Sequence, residues 1–247
     1  MSEFTTELIV ALDVPAFDDA VRILDQTASR ITWYKIGYEA YYGFGQRIIQ
    51  TLRERGKKIF LDLKLHDIPN TAAGGIRSLA WAGASLLSLH AAGGRQMLLA
   101  AAAARDEAKS SGSDLRLLAV TVLTSQTGDQ LRDIGFAKST EELVAVRAAL
   151  AADCGMDGVV CAVEEVAIVR ARTFPEFLIV CPGIRPAGQS ADDQQRVATP
   201  TDAVLAGAVA IVVGRPITLA ADPAGAVQSI LDEIDAALPI RREIEPG

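Results

Sequence analysis

One pattern runs the length of the chain: an apolar run short enough for a strand, then an amphipathic or alanine-rich stretch suited to a helix. Strands are expected at 7–13, 32–38, 58–65, 86–92, 116–123, 158–163, 177–183 and 210–215. Helices are expected near 16–29, 42–55, 71–82, 95–110, 141–153, 164–172, 200–206 and 223–237. Asp18, Asn70 and Thr140 sit where helix N-caps belong, and Gly56, Gly83 and Gly155 where helices should stop. Eight βα units in 247 residues suggest a closed (β/α)8 barrel rather than a doubly wound sheet. The first strand runs into Ala11-Leu12-Asp13-Val14-Pro15, not a GxGxxG turn, which weakens a dinucleotide-binding alternative. No low-complexity linker divides the chain, so a single-domain α/β TIM barrel over residues 1–247 is expected.

Residues 60–71 carry the chemistry. Leu61, Leu63 and Leu65 alternate with Asp62, Lys64 and His66, so one face of the strand is leucine and the other polar, and Asp67 follows at its end. Charges in so apolar a setting either neutralise one another in a structural ladder or perform a task. The same alternation groups Ile9, Ala11 and Asp13 on the first strand, Trp33, Lys35 and Gly37 on the second, and Ser88 with His90 on the fourth. If these faces point inward, Asp13, Lys35, Asp62, Lys64 and His90 converge on the C-terminal mouth of the barrel, where such folds place active sites. Core packing does not explain that convergence.

A phosphate grip is expected across the mouth. The eighth strand ends Val213-Gly214-Arg215, combining close backbone approach with a guanidinium, and Arg185 follows the seventh in Cys-Pro-Gly-Ile-Arg-Pro. Two polar connections, 124–140 and 184–199, leave the catalytic end, either to cover a ligand or as ordinary solvated loops.

Charge and cysteine usage exclude several classes. Twenty-four basic against 31 acidic residues give a net charge of −7, which argues against a general nucleic-acid or anionic-membrane binder. No apolar run approaches the length of a membrane span, and residues 1–6 lack a signal peptide's regions. Cys154, Cys161 and Cys181 are scattered and odd in number, as expected of reduced core thiols in a cytoplasmic protein. Two histidines cannot make a His-rich metal site, which leaves only a carboxylate magnesium site open.

The chain resembles bacterial orotidine 5′-monophosphate decarboxylases over nearly its whole length. The resemblance is carried by Ala11-Leu12-Asp13, Lys35-Ile36-Gly37, Asp62-Leu63-Lys64-Leu65-His66-Asp67-Ile68-Pro69-Asn70-Thr71, Leu123-Thr124-Ser125, Cys181-Pro182-Gly183-Ile184-Arg185-Pro186 and Val213-Gly214-Arg215-Pro216-Ile217. One departure, Gly207-Ala208-Val209 where Gly-Ala-Asp is common in the family, precedes the last strand. The resemblance implies a reaction without cofactor or metal, loss of the carboxylate at carbon 6 of orotidine 5′-monophosphate to give uridine 5′-monophosphate. Lys64 would stabilise and protonate the carbon-6 anion, with Asp62 and Asp67 as the other catalytic carboxylates. Asp13 and Lys35 would hold ribose hydroxyls. Thr124, or else Ser125, would contact the pyrimidine, with Pro182 packed near it. Arg185, Gln194, Gly214 and Arg215 would hold the phosphate. Asp67, Ile68 and Thr71 would reach into the site of a partner subunit in a homodimer.

Three rivals remain. A magnesium-dependent sugar-phosphate lyase shares Asp-x-Lys-x-x-Asp but not its extension through His66–Thr71. A Schiff-base aldolase is weaker, since the predicted sixth strand carries no lysine. A non-catalytic phosphometabolite-binding barrel has no need of Asp62, Lys64 and Asp67.

Overall fold

The computed structural model describes residues 6–186 and 196–244. Eight parallel strands close in sequence order into a barrel. They are β1 (Glu7–Ala11), β2 (Trp33–Ile36), β3 (Lys58–Leu65), β4 (Leu86–His90), β5 (Arg116–Val120), β6 (Gly158–Val160), β7 (Leu178–Cys181) and β8 (Ala210–Val213). Closure is made by β1 on β8, with Ile9 opposite Val212 and Val10 opposite Val213. Between the strands run α1 (Phe17–Thr27), α2 (Tyr38–Phe44), α3 (Gln46–Glu54), α4 (Pro69–Ala82), α5 (Gly94–Ser110), α6 (Gly128–Asp133), α7 (Thr140–Asp153), α8 (Val166–Arg170) and α9 (Pro200–Ala206). After β8 come α10 (Arg215–Thr218) and α11 (Pro223–Ile244). Among the described residues, no helix is long and apolar enough to cross a membrane.

Strand alternation builds two separate cores. Inward residues, among them Ile9, Phe60, Leu118, Val160, Val180 and Val212, plug the barrel. Outward residues pack beneath the helices, including Val10, Leu61, Leu63, Leu87, Ala119, Ile179 and Val213. α1 buries Ala20, Ile23, Leu24 and Thr27, the i, i+3, i+4, i+7 spacing of one helical face. The plug fills the barrel's interior and leaves the C-terminal mouth for polar groups.

The eight strands and the helix following each lie where the alternation puts them, but the ends differ. Most strands stop two or more residues short of the expected C-terminal limit, because residues such as Asp13 and Pro182 leave the ladder to line the mouth. The helix expected at 42–55 begins at Tyr38 and is broken at Gly45, which holds φ +53°. Asp18, Asn70 and Thr140 lie inside their helices. The caps are Ala16, Ile68 and Ser139, and Ser139 forms a reciprocal capping box with Glu142. The polar connection 124–140 contains α6, begun by a second such box between Thr127 and Gln130.

Candidate active site

A cavity of about 520 Å³ opens at the C-terminal ends of the strands, above Ala11, Val120, Val160 and Val212 of the plug. Along one side, charges alternate in sign from strand to strand. Asp13, just past β1, accepts a 2.7 Å bond at Oδ2 from the Lys35 ammonium on β2. Lys35 Nζ lies 3.8 Å from Asp62 Oδ2 on β3, and the same oxygen takes a 2.9 Å bond from Lys64 Nζ. The other Asp13 oxygen accepts the Gly37 amide at 3.2 Å. A Cβ at Gly37 would stand 2.5 Å from that oxygen and 2.9 Å from Lys35 Nζ, so glycine is required there by close approach.

Asp62 is the hub. Burial pushes its carboxyl up, but Lys35, Lys64 and the Ser88 hydroxyl outweigh burial and hold it below the usual carboxylate range. The hydroxyl of Ser88, on β4, donates to Asp62 Oδ1 at 2.8 Å. Its oxygen in turn accepts the backbone N–H of Lys64 at 2.9 Å.

The strand bulges here. Leu61 of β3 pairs with Leu87 of β4, yet the next pair is Leu65 with Leu89, so the ladder skips Asp62, Leu63 and Lys64. Among the described residues Lys64 is the one non-glycine with positive φ, at +42°. Such a backbone costs on the order of 1–3 kcal/mol and persists only where its surroundings hold it. Tyr38 braces the same bulge, donating its hydroxyl to the Leu63 carbonyl at 3.0 Å, with its ring 5.7 Å from Lys64 Nζ.

The opposite side is built by β7 and β8. Arg185 is buried past the end of β7, and Arg215 opens α10 directly after Gly214. Arg185, Gly214 and Arg215 line the cavity, as do Pro182 and, from the β5 side, Thr124 and Ser125. Among the described residues the cavity's carboxylates, Asp13, Glu39 and Asp62, all come from the β1–β3 side.

Other expected site residues lie elsewhere. Asp67, Ile68 and Thr71 are exposed around the start of α4 and do not line this cavity. Asp67 accepts the Ile68 amide at 2.7 Å, and Ile68 itself is 67% exposed. Gln194 lies outside the described residues. His90 does not join the charges at the mouth. It accepts the Ala92 amide at Nδ1, and its ring stacks on His66 with centroids 5.6 Å apart. Burial, with Arg147, His66 and Lys64 nearby, pushes its pKa down to about 4.

Two contributors, Glu39 and Arg196, escape the sequence reading, and a third, Ser88, has a face there but no role. Its only signal is one hydroxyl in Leu-Leu-Ser-Leu-His. Glu39 lines the mouth from α2. Arg196 ion-pairs with the buried Glu165 and donates to the Leu123 carbonyl at 3.0 Å, tying the segment after β7 to those after β5 and β6. Its partners are distant in sequence, so no local pattern announces them. All three cysteines are buried free thiols.

The arrangement can hold an ammonium and an ionised carboxylate 2.9 Å apart at one end of a cavity whose other end carries two guanidinium groups. A family model described as orotidine 5′-phosphate decarboxylase / HUMPS family matches residues 6–230. The orotidine 5′-phosphate decarboxylase of Methylobacterium sp. (strain 4-46) is 52% identical over 230 residues, covering 93% of this chain and 96% of the relative. The protein of that name from Moorella thermoacetica is 44% identical over 232 residues, covering 93% and 92%. A crystal structure of orotidine 5′-phosphate decarboxylase from Lactobacillus acidophilus is similar with a TM-score of 0.82 at 39% identity, covering 93% of this chain and 99% of that one.

Proposed function

The chain belongs to the orotidine 5′-phosphate decarboxylase / HUMPS family, and from that premise we propose that it converts orotidine 5′-monophosphate to uridine 5′-monophosphate, a step of pyrimidine nucleotide synthesis. The observation that carries the reading is the Asp13–Lys35–Asp62–Lys64 chain facing Arg185 and Arg215 across one cavity. Breaking the bond between carbon 6 and the carboxylate leaves the electron pair on carbon 6, with no adjacent sink. Carbon dioxide departs, and the protein must stabilise the anion electrostatically and protonate it. The Lys64 ammonium does both: it stands beside the developing charge, then gives its proton to carbon 6 and takes another from water.

Asp62, kept ionised by its neighbours, faces the substrate carboxylate. The repulsion between them is relieved as carbon dioxide leaves. Asp13 and Lys35 hold the ribose hydroxyls, Thr124 contacts the pyrimidine and Pro182 packs near it. Arg185, Gln194, Gly214 and Arg215 take the phosphate. Binding energy spent on that remote group then lowers the barrier at carbon 6 rather than only KM.

Asp67, Ile68 and Thr71 act in a second copy of the chain, completing its site within a homodimer. Their exposure away from their own cavity supports this, as does the apolar surface that Ile68 presents. The protein works as one domain in the cytoplasm, a reading supported by its three free thiols. The test is the ultraviolet change when purified protein meets orotidine 5′-monophosphate with a chelator present. Turnover is expected to survive the chelator, and well-folded protein without turnover would sink the reading.

A further inference from the structure

The ladder between β3 and β4 skips the three residues that present the reacting groups, and what replaces it is a side chain. Ser88 is fully buried, so water cannot stand in for its bonds. A hydroxyl offers one proton and two lone pairs. Here the proton goes to Asp62 Oδ1 at 2.8 Å, and a lone pair takes the Lys64 amide at 2.9 Å. Asp62 Oδ2 is already committed to Lys64 and Lys35, and Lys35 is itself committed to Asp13. With Oδ1 held as well, the carboxylate cannot turn. The Lys64 amide belongs to a backbone at φ +42°, a conformation that must be held in place.

We propose that Ser88 is a positioning residue, whose single hydroxyl fixes both the Asp62 carboxylate and the backbone that aims Lys64. The proposal deepens the decarboxylase reading and rests on it for its kinetic consequence. Alanine at 88 leaves the Lys64 amide and Asp62 Oδ1 without their partner. The bulge then relaxes, and the ammonium moves off the line to carbon 6. The phosphate grip lies across the cavity and is untouched.

The experiment compares wild type, Ser88→Ala and Ser88→Thr. The alanine variant should lose about 10- to 100-fold in kcat, the scale of a lost bond to a charged group plus a small misplacement. Affinity for uridine 5′-monophosphate, measured by calorimetry, should stay within about threefold because the anchor is remote. The threonine variant, which keeps the hydroxyl, should recover most of the loss. A folded alanine variant at wild-type kcat, a parallel loss of product affinity, or a folded threonine variant as slow as alanine would each overturn the assignment. Should alanine fail to fold, the isosteric Ser88→Cys is read in the same way.

A readout independent of turnover separates this proposal from the functional reading. Carboxyl NMR titration of substrate-free protein should find Asp62 shifted upward in Ser88→Ala, while Lys35 from β2, Lys64 from β3, Asp13 beyond β1 and Tyr38 from α2 still surround it. An unmoved Asp62 rejects the positioning role whatever the substrate. Wild-type protein that leaves orotidine 5′-monophosphate unchanged rejects the functional reading instead.

Discussion

The β1–β4 side of the cavity and its β7–β8 side handle charge in opposite ways. On the first, Asp13, Lys35, Asp62 and Lys64 alternate in sign, each within 3.8 Å of the next, and Ser88 locks the hub. On the second, the charged groups lining the cavity among the described residues are two guanidiniums, Arg185 and Arg215. The four alternating charges of the first side sum to zero, with Glu39 adding one carboxylate, so its geometry stands without a ligand. The two guanidiniums of the second carry positive charge suited to a phosphate dianion. Chemistry at one atom needs geometry fixed in advance, whereas an anchor needs charge and reach.

The sharpest way to break this contrast is at Lys64. Lys64→Ala should lower kcat by about 10⁴-fold or more, because one ammonium is assigned both anion stabilisation and proton delivery. Steady-state turnover of a folded variant checks this, and a tenth of wild-type activity would contradict the division between the two sides. On the other side, Arg215→Ala should cost about 10²- to 10³-fold in kcat/KM, with the nucleoside lacking phosphate penalised at least as strongly. Equal processing of nucleoside and nucleotide would show the anchor to be misplaced.

A mixing experiment tests whether the acid–base side extends across a two-fold axis. Lys64→Ala and Asp67→Ala proteins should each be nearly inactive alone. After random exchange about half of the dimers are mixed, with one intact site each, so activity should return to roughly a quarter of wild type. No recovery, once exchange is verified by mass, would return Asp67 to its own subunit.

The smallest effect expected is on acid stability. The folded pKa of His90, about 4, lies below its unfolded value, so the unfolded chain takes up the proton first as pH falls. That stability is present above roughly pH 6.5 and is lost towards pH 4. Asp62 acts in the same direction at lower pH, because its folded carboxyl is depressed and its contribution disappears as pH falls through the folded value. Guanidinium groups do not titrate in this range, so the loss belongs to the β3–β4 side. His90→Gln should flatten the unfolding free energy, measured by denaturant titration, against pH between 6.5 and 4, by about 1–2 kcal/mol after screening of a part-exposed ring. A variant as acid-sensitive as wild type would remove His90 from the account.

What the sequence made legible follows the same division. Period-two alternation located all eight strands and put Asp62, Lys64 and Lys35 on inward faces, because burial on one side leaves its mark residue by residue. Arg185 and Arg215 were found from their place after the last two strands. The bulge was invisible, since Phe-Leu-Asp-Leu-Lys-Leu reads as an uninterrupted strand whatever its partner does. His90 misled for a related reason: alternation gives a face, but here the strand ends at that residue and its ring turns to His66. The Arg196–Glu165 pair joins residues 31 apart and is a product of closure alone.

The bulge also sets rules for length. Between Leu61 and Leu65 the third strand advances four positions while its neighbour, from Leu87 to Leu89, advances two, an even surplus. An even surplus preserves parity, so Leu61 below the bulge and Leu65 beyond it both pack towards the helices. An odd surplus would exchange inside for outside beyond it, turning Leu65 from the helix layer towards the cavity. Deleting one codon anywhere in this stretch is therefore a different kind of lesion from deleting two. Insertions and deletions tolerated here over evolutionary time should come in pairs.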